Sequence, residues 1–236
     1  MAYHKMDQYI NTQVRYWNQQ KEEVEKIGQE AKDVPFVTIS REYGAGGYEV
    51  AEKLVEMINK EYNPEFSWAA YDKDLLNKLS EDMGLSKPLS DTLTHDARRK
   101  VTEFFQTFFS KFPPQVAVLQ KLVGNIKTLL SNGNVVIVGR AGRKIAKDMS
   151  GGFHVRIVAP MSWRIERVAK ILDVDKKKAE QLIKEKTKLR ESFVKEFLNF
   201  DNTDPHNYHI VINMEEITAE EAAKMIFDGM KIREII

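Results

Sequence analysis

The chain has 236 residues, 42% hydrophobic and 30% charged, with 36 Lys and Arg against 35 Asp and Glu for a formal net charge of +1. That length can bury one substantial core, or one core carrying a small mobile subdomain. The near-neutral balance argues against a dedicated nucleic-acid or membrane binder, and the absence of cysteine excludes disulfides, thiol catalysis and thiolate metal sites.

Residues 1 to about 32 form one charged, glutamine-rich segment with apolar side chains at Ile10, Val14, Trp17, Val24 and Ile27, spaced to share one helical stripe. Such a helix is not stable alone and must dock on its own core or on another subunit, so a homodimer is one way of burying it. Asp33-Val34-Pro35 ends it, because the residue before proline is pushed out of the helical region. The opening residues show no apolar signal core, and no run approaches the roughly 18 apolar residues of a membrane span. A cytoplasmic protein is the expectation.

Phe36 to Ala51, read FVTISREYGAGGYEVA, is the stretch around which the rest is organised. A β-branched apolar run enters a glycine cluster at Gly44, Gly46 and Gly47, and a helical pattern follows with Val50, Ala51, Leu54, Val55 and Ile58. Strand, tight turn and helix together make an anion site: glycines permit close backbone approach, and the first N–H groups of the helix point at the turn. A glycine turn with no ligand fits the same residues. The loop also departs from the G-x-x-x-x-G-K-[ST] phosphate loop, with Arg41 in place of the first glycine, Gly47 in place of the lysine and Tyr48 in place of the magnesium-binding hydroxyl.

Further on, FSWAAY (66 to 71) reads as a strand, and Asp72 is placed to cap the helix that follows. Phe104, Phe105, Phe108 and Phe109 form an aromatic face suited to core or subunit contact, and Pro113-Pro114 breaks the chain. A helix carrying Val116, Leu119, Val123, Ile126 and Leu130 closes at Asn132-Gly133. VVIVG (135 to 139) is a continuous apolar run, expected of a strand covered on both faces, and HVRIVA (154 to 159) and HIVI (209 to 212) are two more strands. Strands alternating with helices require an α/β fold with a parallel sheet and right-handed crossovers.

Arginines follow the strand ends, where ligands bind in open α/β sheets. Arg140 and Arg143 come directly after 135 to 139, and Arg164 and Arg167 lie three apart on the next helix, opposite a stripe of Ile165, Val168 and Ile171, so that both can reach one anion. Residues 175 to 198 are dense in lysine and glutamate, with Asp175 as a cap and an apolar face of Ala179, Leu182, Ile183, Leu189, Phe193 and Phe197. The five histidines, His4, His95, His154, His206 and His209, show no metal-ligand grouping, and no metal ligand is assigned.

SREYGAGG, with YDKDLL, VVIVGRAGR, HVRIVAP, RIERV, KLRES and DPHNYHIVIN in the same order, resembles the cytidylate kinase-like family, a divergent branch of the P-loop nucleoside monophosphate kinases, from residue 36 onward. The resemblance implies a three-layer sandwich with a five-stranded parallel sheet in the order 2-3-1-4-5, a kinase-like domain over 34–236 with a helical lid inserted at about 173–205, and an N-terminal helical arm over 1–33. It implies ATP as cofactor, with Mg2+ brought in alongside it, and small-molecule nucleotide substrates rather than nucleic acid or membrane partners.

On this reading Ser40, Arg41, Gly44, Ala45, Gly46, Gly47 and Tyr48 bind the triphosphate. Arg41, Arg164, Arg167, Lys188 and Arg190 neutralise it, and Asp72 and Arg140 position the acceptor. Arg41 takes over part of the missing lysine's charge, or it pairs with a neighbouring carboxylate. Asp204, Asn207 and Asn213 shape turns or touch the base, and Ala141 stands where cytidylate kinases place an aspartate, which leaves the acceptor open. The expected activity is transfer of the ATP γ-phosphoryl group to a nucleoside monophosphate or another small phosphorylated acceptor. Two other readings stand: a nucleotide-binding sensor that lost the chemistry, favoured by Gly47 and Tyr48, and a structural subunit.

Overall fold

A computed structural model of the chain describes residues 13–15, 17–19, 21–22, 34–62, 64, 67–81, 93, 99, 101–103 and 117–236. The Phe104 to Phe109 face, Pro113-Pro114, the outer N-terminal stripe positions Ile10, Val24 and Ile27, and the side chains of Phe193 and Phe197 lie outside what it describes.

Five parallel strands, β1 (Phe36–Arg41), β2 (Ala69–Tyr71), β3 (Val135–Val138), β4 (Gly152–Val158) and β5 (Ile210–Asn213), form one sheet in the order β2-β3-β1-β4-β5. This is the expected architecture. β1 is central, with Thr38 opposite Ile137 on one side and His154 on the other.

Side chains alternate faces along a strand. Phe36, Val135 and Ile137 therefore enter one core, and Val37, Ile39, Val136 and Val138 enter the other, each nearly or fully buried. The first core is closed by α3 (Ala117–Asn132) and by α2 (Lys73–Glu81) through Leu75 and Leu76. The second is closed by α1 (Gly47–Met57), which continues as a π-helical turn Ile58–Tyr62, and by α7 (Ala219–Ile232). The burial of Val50, Ala51, Leu54 and Ile58 follows the helical spacing expected of α1.

The described residues between 13 and 22 are helical, and Val14 and Trp17 are buried in the first core while Gln13 donates to the Ser67 carbonyl at 3.0 Å. That part of the arm docks on its own chain.

Two further helices, α5 (Met161–Leu172) and α6 (Lys176–Leu198), make a hairpin closed by Val168, Ala179 and Ile183. Asp175 caps α6, accepting from the Lys178 amide at 2.8 Å, as expected. The predicted stripe on α5 is corrected: Ile171 is 59% exposed, whereas Arg164 is buried at 7%. On α6, Leu189 is likewise outward, at 65% exposure. The helix turns Arg164 inward because the backbone carbonyls of Ala159, just past the end of β4, and of Tyr43, in the glycine turn, accept its N–H groups, so a charged residue outcompetes an apolar one for the buried face.

Candidate functional site

β1 ends at Arg41 and the chain turns through Gly44 at φ 86° and Gly46 at φ 81° before α1 starts at Gly47. Left-handed backbone of this kind suits glycine. The Ala45 amide folds back on the Glu42 carbonyl at 3.4 Å, so it faces inward, while Gly44 and Gly46 donate to no described residue. The first N–H groups of α1 have no partner within the helix. The expected amide cradle therefore consists of Gly44, Gly46, Gly47 and Tyr48, without Ala45, whose side chain is fully buried in the second core. Ser40 lies on the strand just before, half-buried.

Around this turn the predicted cations separate into three groups. Arg41, Arg140 and Arg190 converge. Burial pushes the Arg41 guanidinium down to about 9, with Arg190 and Arg140 adding repulsion and Asp72 opposing them. Arg140 and Arg190 are lowered as well, chiefly by burial. Among the described residues no carboxylate forms an ion pair with any of the three. Arg190 lies over the Tyr43 ring at 5.0 Å, and Arg140 donates to Asn77 Oδ1 at 2.6 Å while its Nε is buried with no partner among the described residues.

Arg140 is held there by strained backbone. Gly139, Arg140 and Ala141 are all left-handed, at φ 75°, 49° and 57°, and the turn is closed by Gly142 N–H to the Gly139 carbonyl at 2.8 Å. Such conformations cost about 1 kcal/mol or more per non-glycine residue and cluster at functional sites. A short helix, α4 (Gly142–Ile145), follows.

Arg164 and Arg167, expected to reach one anion together, are engaged by different partners. Arg164 donates to the carbonyls of Ala159 at 2.9 Å and Tyr43 at 3.4 Å and lies 3.6 Å from Glu42, whose carboxylate also accepts the Ala159 amide at 3.1 Å. It fastens the glycine turn to the end of β4. Arg167 pairs with Glu49 at 2.6 Å and lies over Trp163. Its guanidinium is 3.6 Å from where a Cβ on Gly46 would stand, so it borders the turn with its charge compensated.

Lys188 forms the third group. It lines an open cleft of about 420 Å³ between α5 and α6 with Met161, Arg164, Lys184 and Lys195.

Asp72 caps α2, its Oδ1 accepting the amides of Asp74 and Leu75 at 2.9 Å each, and its charge also faces Arg41 and, after that of Asp74, Arg140. Tyr48 is 42% exposed at the start of α1, with its phenol raised by burial and by the nearby Glu52 and Asp72 carboxylates. Asp204 caps the turn Pro205–Asn207, and Asn213 accepts from the Glu215 amide at 3.3 Å, so both shape backbone. Arg143 donates to the Asn207 carbonyl, away from the cluster. Among the described residues no group of three or more His, Asp or Glu is arranged to hold a metal, and no helix is long and apolar enough to cross a membrane.

Sequence reading gave no separate role to Tyr43, Asn77, Glu42, Glu49 or Gly139, although Glu42, Tyr43 and Gly139 lie inside the SREYGAGG and VVIVGRAGR motifs. Gly139, a glycine between a buried strand and an arginine, is the one that carried a signal.

The chain matches the cytidylate kinase-like family over residues 36–216. A crystal structure of an uncharacterized protein from Eubacterium ventriosum ATCC 27560 is similar with a TM-score of 0.65 and 25% identity, covering 86% of this chain and 100% of that one. Shikimate kinase from Acinetobacter baumannii in complex with shikimate is more distant, at 16% identity and a TM-score of 0.44 over 86% of this chain and 96% of that one. TT1252 from Thermus thermophilus stands at 14% and 0.43 over 86% and 98%. No curated protein matches.

Proposed function

Because the chain belongs to the cytidylate kinase-like family, we propose that it transfers the γ-phosphoryl group of ATP to a nucleoside monophosphate or another small phosphorylated acceptor. The observation that carries this reading is the convergence of Arg41, Arg140 and Arg190 beside the glycine turn, none of them ion-paired among the described residues. Half-buried cations without carboxylate partners carry part of the cost of a desolvated charge. A polyanion relieves that cost, and phosphoryl transfer depends on cations and alignment more than on covalent help from the protein.

In this reading the amides of Gly44, Gly46, Gly47 and Tyr48 hold the triphosphate with the positive end of α1. Arg41 and Arg190 neutralise the oxygens at the transferring end, Arg190 being carried by the helix that closes over the nucleotide. Arg140 takes the acceptor's phosphate, with its unpartnered Nε supplying a donor. Asp72 orients the acceptor. Arg164 and Arg167 hold the turn in shape, and Lys188 stays outside the reacting centre.

Magnesium would supply charge neutralisation between phosphate oxygens when bound. The residues present do not fit a resident metal. Tyr48 stands where a small hydroxyl is needed, Asp72 Oδ1 accepts two amides, and Glu42 is committed to Ala159 and Arg164. The ion would come with the nucleotide, held by its oxygens and water.

The test is a coupled ADP-release assay across CMP, UMP, AMP and the deoxynucleotides, alongside calorimetric titration with ATP and a non-hydrolysable analogue. Turnover with one acceptor supports the proposal. Tight ATP binding with no turnover on any acceptor selects the second reading, a nucleotide-binding sensor, which Gly47 and Tyr48 favour. The cytoplasm, with its nucleotide pool, is the compartment proposed for either.

A further inference from the structure

Two of the three departures of the glycine turn, an arginine at 41 and a glycine at 47, are linked by contact. The stem of Arg41 passes over Gly47. A Cβ placed on Gly47 would lie 3.0 Å from Arg41 Cβ, 3.1 Å from Cγ and 3.5 Å from Cδ. The guanidinium then lies against Gly139, where an added Cβ would be 1.8 Å from Nη1, 2.4 Å from Cζ and 2.7 Å from Nη2. At Gly139 the separations fall under 3 Å, which real Cβ atoms do not sustain, so a side chain there would displace the guanidinium, whereas at Gly47 they start at 3.0 Å and a side chain would push the Arg41 stem by a few tenths of an ångström. Gly139 is left-handed at φ 75°, which gives its glycine a second reason, but the backbone of Gly47 is not in that region. At position 47 the contact with Arg41 is what crowds a side chain.

We propose that Gly47 and Gly139 form a slot that seats Arg41 above the first turn of α1, so that the cation a regular phosphate loop carries as a lysine at position 47 is delivered from the end of β1. The relocation accounts for a glycine at the lysine position: the arginine stem crowds the point from which a lysine stem would leave the backbone. It also explains why the seated guanidinium, pushed down by burial, has no ion pair among the described residues. Its partner is the bound polyphosphate. Gly47 and Gly139 are positioning residues, acting through Arg41. The identity of the ligand rests on the function proposed above; the slot itself does not.

Five variants and two readouts test it. Tripolyphosphate and ATP binding are measured by calorimetry for the wild type, Arg41→Ala, Gly47→Lys and the double variant Arg41→Ala/Gly47→Lys. Arg41→Ala weakens both ligands by about tenfold or more, the range of a lost charge-assisted hydrogen bond. Gly47→Lys, although it restores the usual lysine, also weakens them, and the double variant recovers to within about threefold of wild type because the lysine then has its space. Wild-type or tighter affinity in Gly47→Lys, or a double variant no better than Arg41→Ala, overturns the slot.

Urea unfolding without ligand gives the second readout, comparing Gly139→Ala in the wild-type and Arg41→Ala backgrounds. The slot requires the destabilisation by Gly139→Ala to shrink when Arg41 is absent, whereas additivity overturns it. If the wild type binds neither ligand, the proposed function fails, and the unfolding comparison still decides the slot.

Discussion

Lys188 and Arg190 stand two residues apart on α6 and face different spaces. A helix turns 100° per residue, so their side chains leave it about 200° apart. Arg190 lies over Tyr43 beside Arg41 and Arg140, and Lys188 lines the cleft with Lys184, Lys195 and Arg164. Arg190→Met should therefore weaken ATP by about tenfold or more, the loss expected of a charge-assisted contact. Lys188→Met should change it by less than about threefold, because an exposed lysine contributes little. Titration calorimetry on both variants checks this, and equal losses would contradict the separation.

Asp72 has two roles that one substitution can separate. Asparagine caps a helix about as well as aspartate, so Asp72→Asn should leave the melting temperature nearly unchanged while removing the charge that faces Arg41 and Arg140. Its effect should appear in the KM for the acceptor. Asp72→Ala should lose the cap as well, at about 1 kcal/mol of stability. A drop in melting temperature for Asp72→Asn as large as that for Asp72→Ala would show that the charge serves the fold.

Arg164 is expected to matter for stability first. Its side chain is 8% exposed and holds the Ala159 and Tyr43 carbonyls close to Glu42. Arg164→Met leaves a carboxylate and two carbonyls short of a partner, which should cost about 3 kcal/mol in urea unfolding. A loss under about 1 kcal/mol would mean that solvent replaces it readily.

His154 sets an acid limit. It is 5% exposed, its Nδ1 lies 2.8 Å from Thr38 Oγ1, and it stacks on His209 at 5.1 Å. Burial, with Arg143, His209 and Arg233 adding repulsion, holds its pKa down to about 3 from 6.5. The unfolded chain thus takes up a proton near pH 6.5 that the folded chain refuses until about 3. Stability from this group is complete above 6.5 and is lost as pH falls toward 3, with a slope of about 1.4 kcal/mol per pH unit. The difference between wild type and His154→Gln in urea unfolding from pH 7 to 4 should show that slope; a flat difference would place the proton elsewhere.

How much of this was legible beforehand depended on how local the determining physics is. The fully buried β3, the cap at Asp175 and the glycine turn each rest on residues within a few positions of one another, and their periodicity or turn chemistry was readable. The fate of the cations was not. Arg164 and Arg167 look alike in sequence, yet one is buried against the carbonyl of Tyr43, 121 positions away, and the other is paired with Glu49, 118 positions away.

The sequence alone determined the strands, the alternation that demands a parallel sheet, and the glycine turn opening a helix, because backbone dihedrals and hydrophobic periodicity are local properties. Only the tertiary structure decided which arginines keep a free charge. Pairing is a matter of distance across the fold, and the sheet order β2-β3-β1-β4-β5 brings the ends of β1 and β3 side by side, so that Arg41 can rest against Gly139 while Arg164, beyond β4, is spent on holding the turn in place.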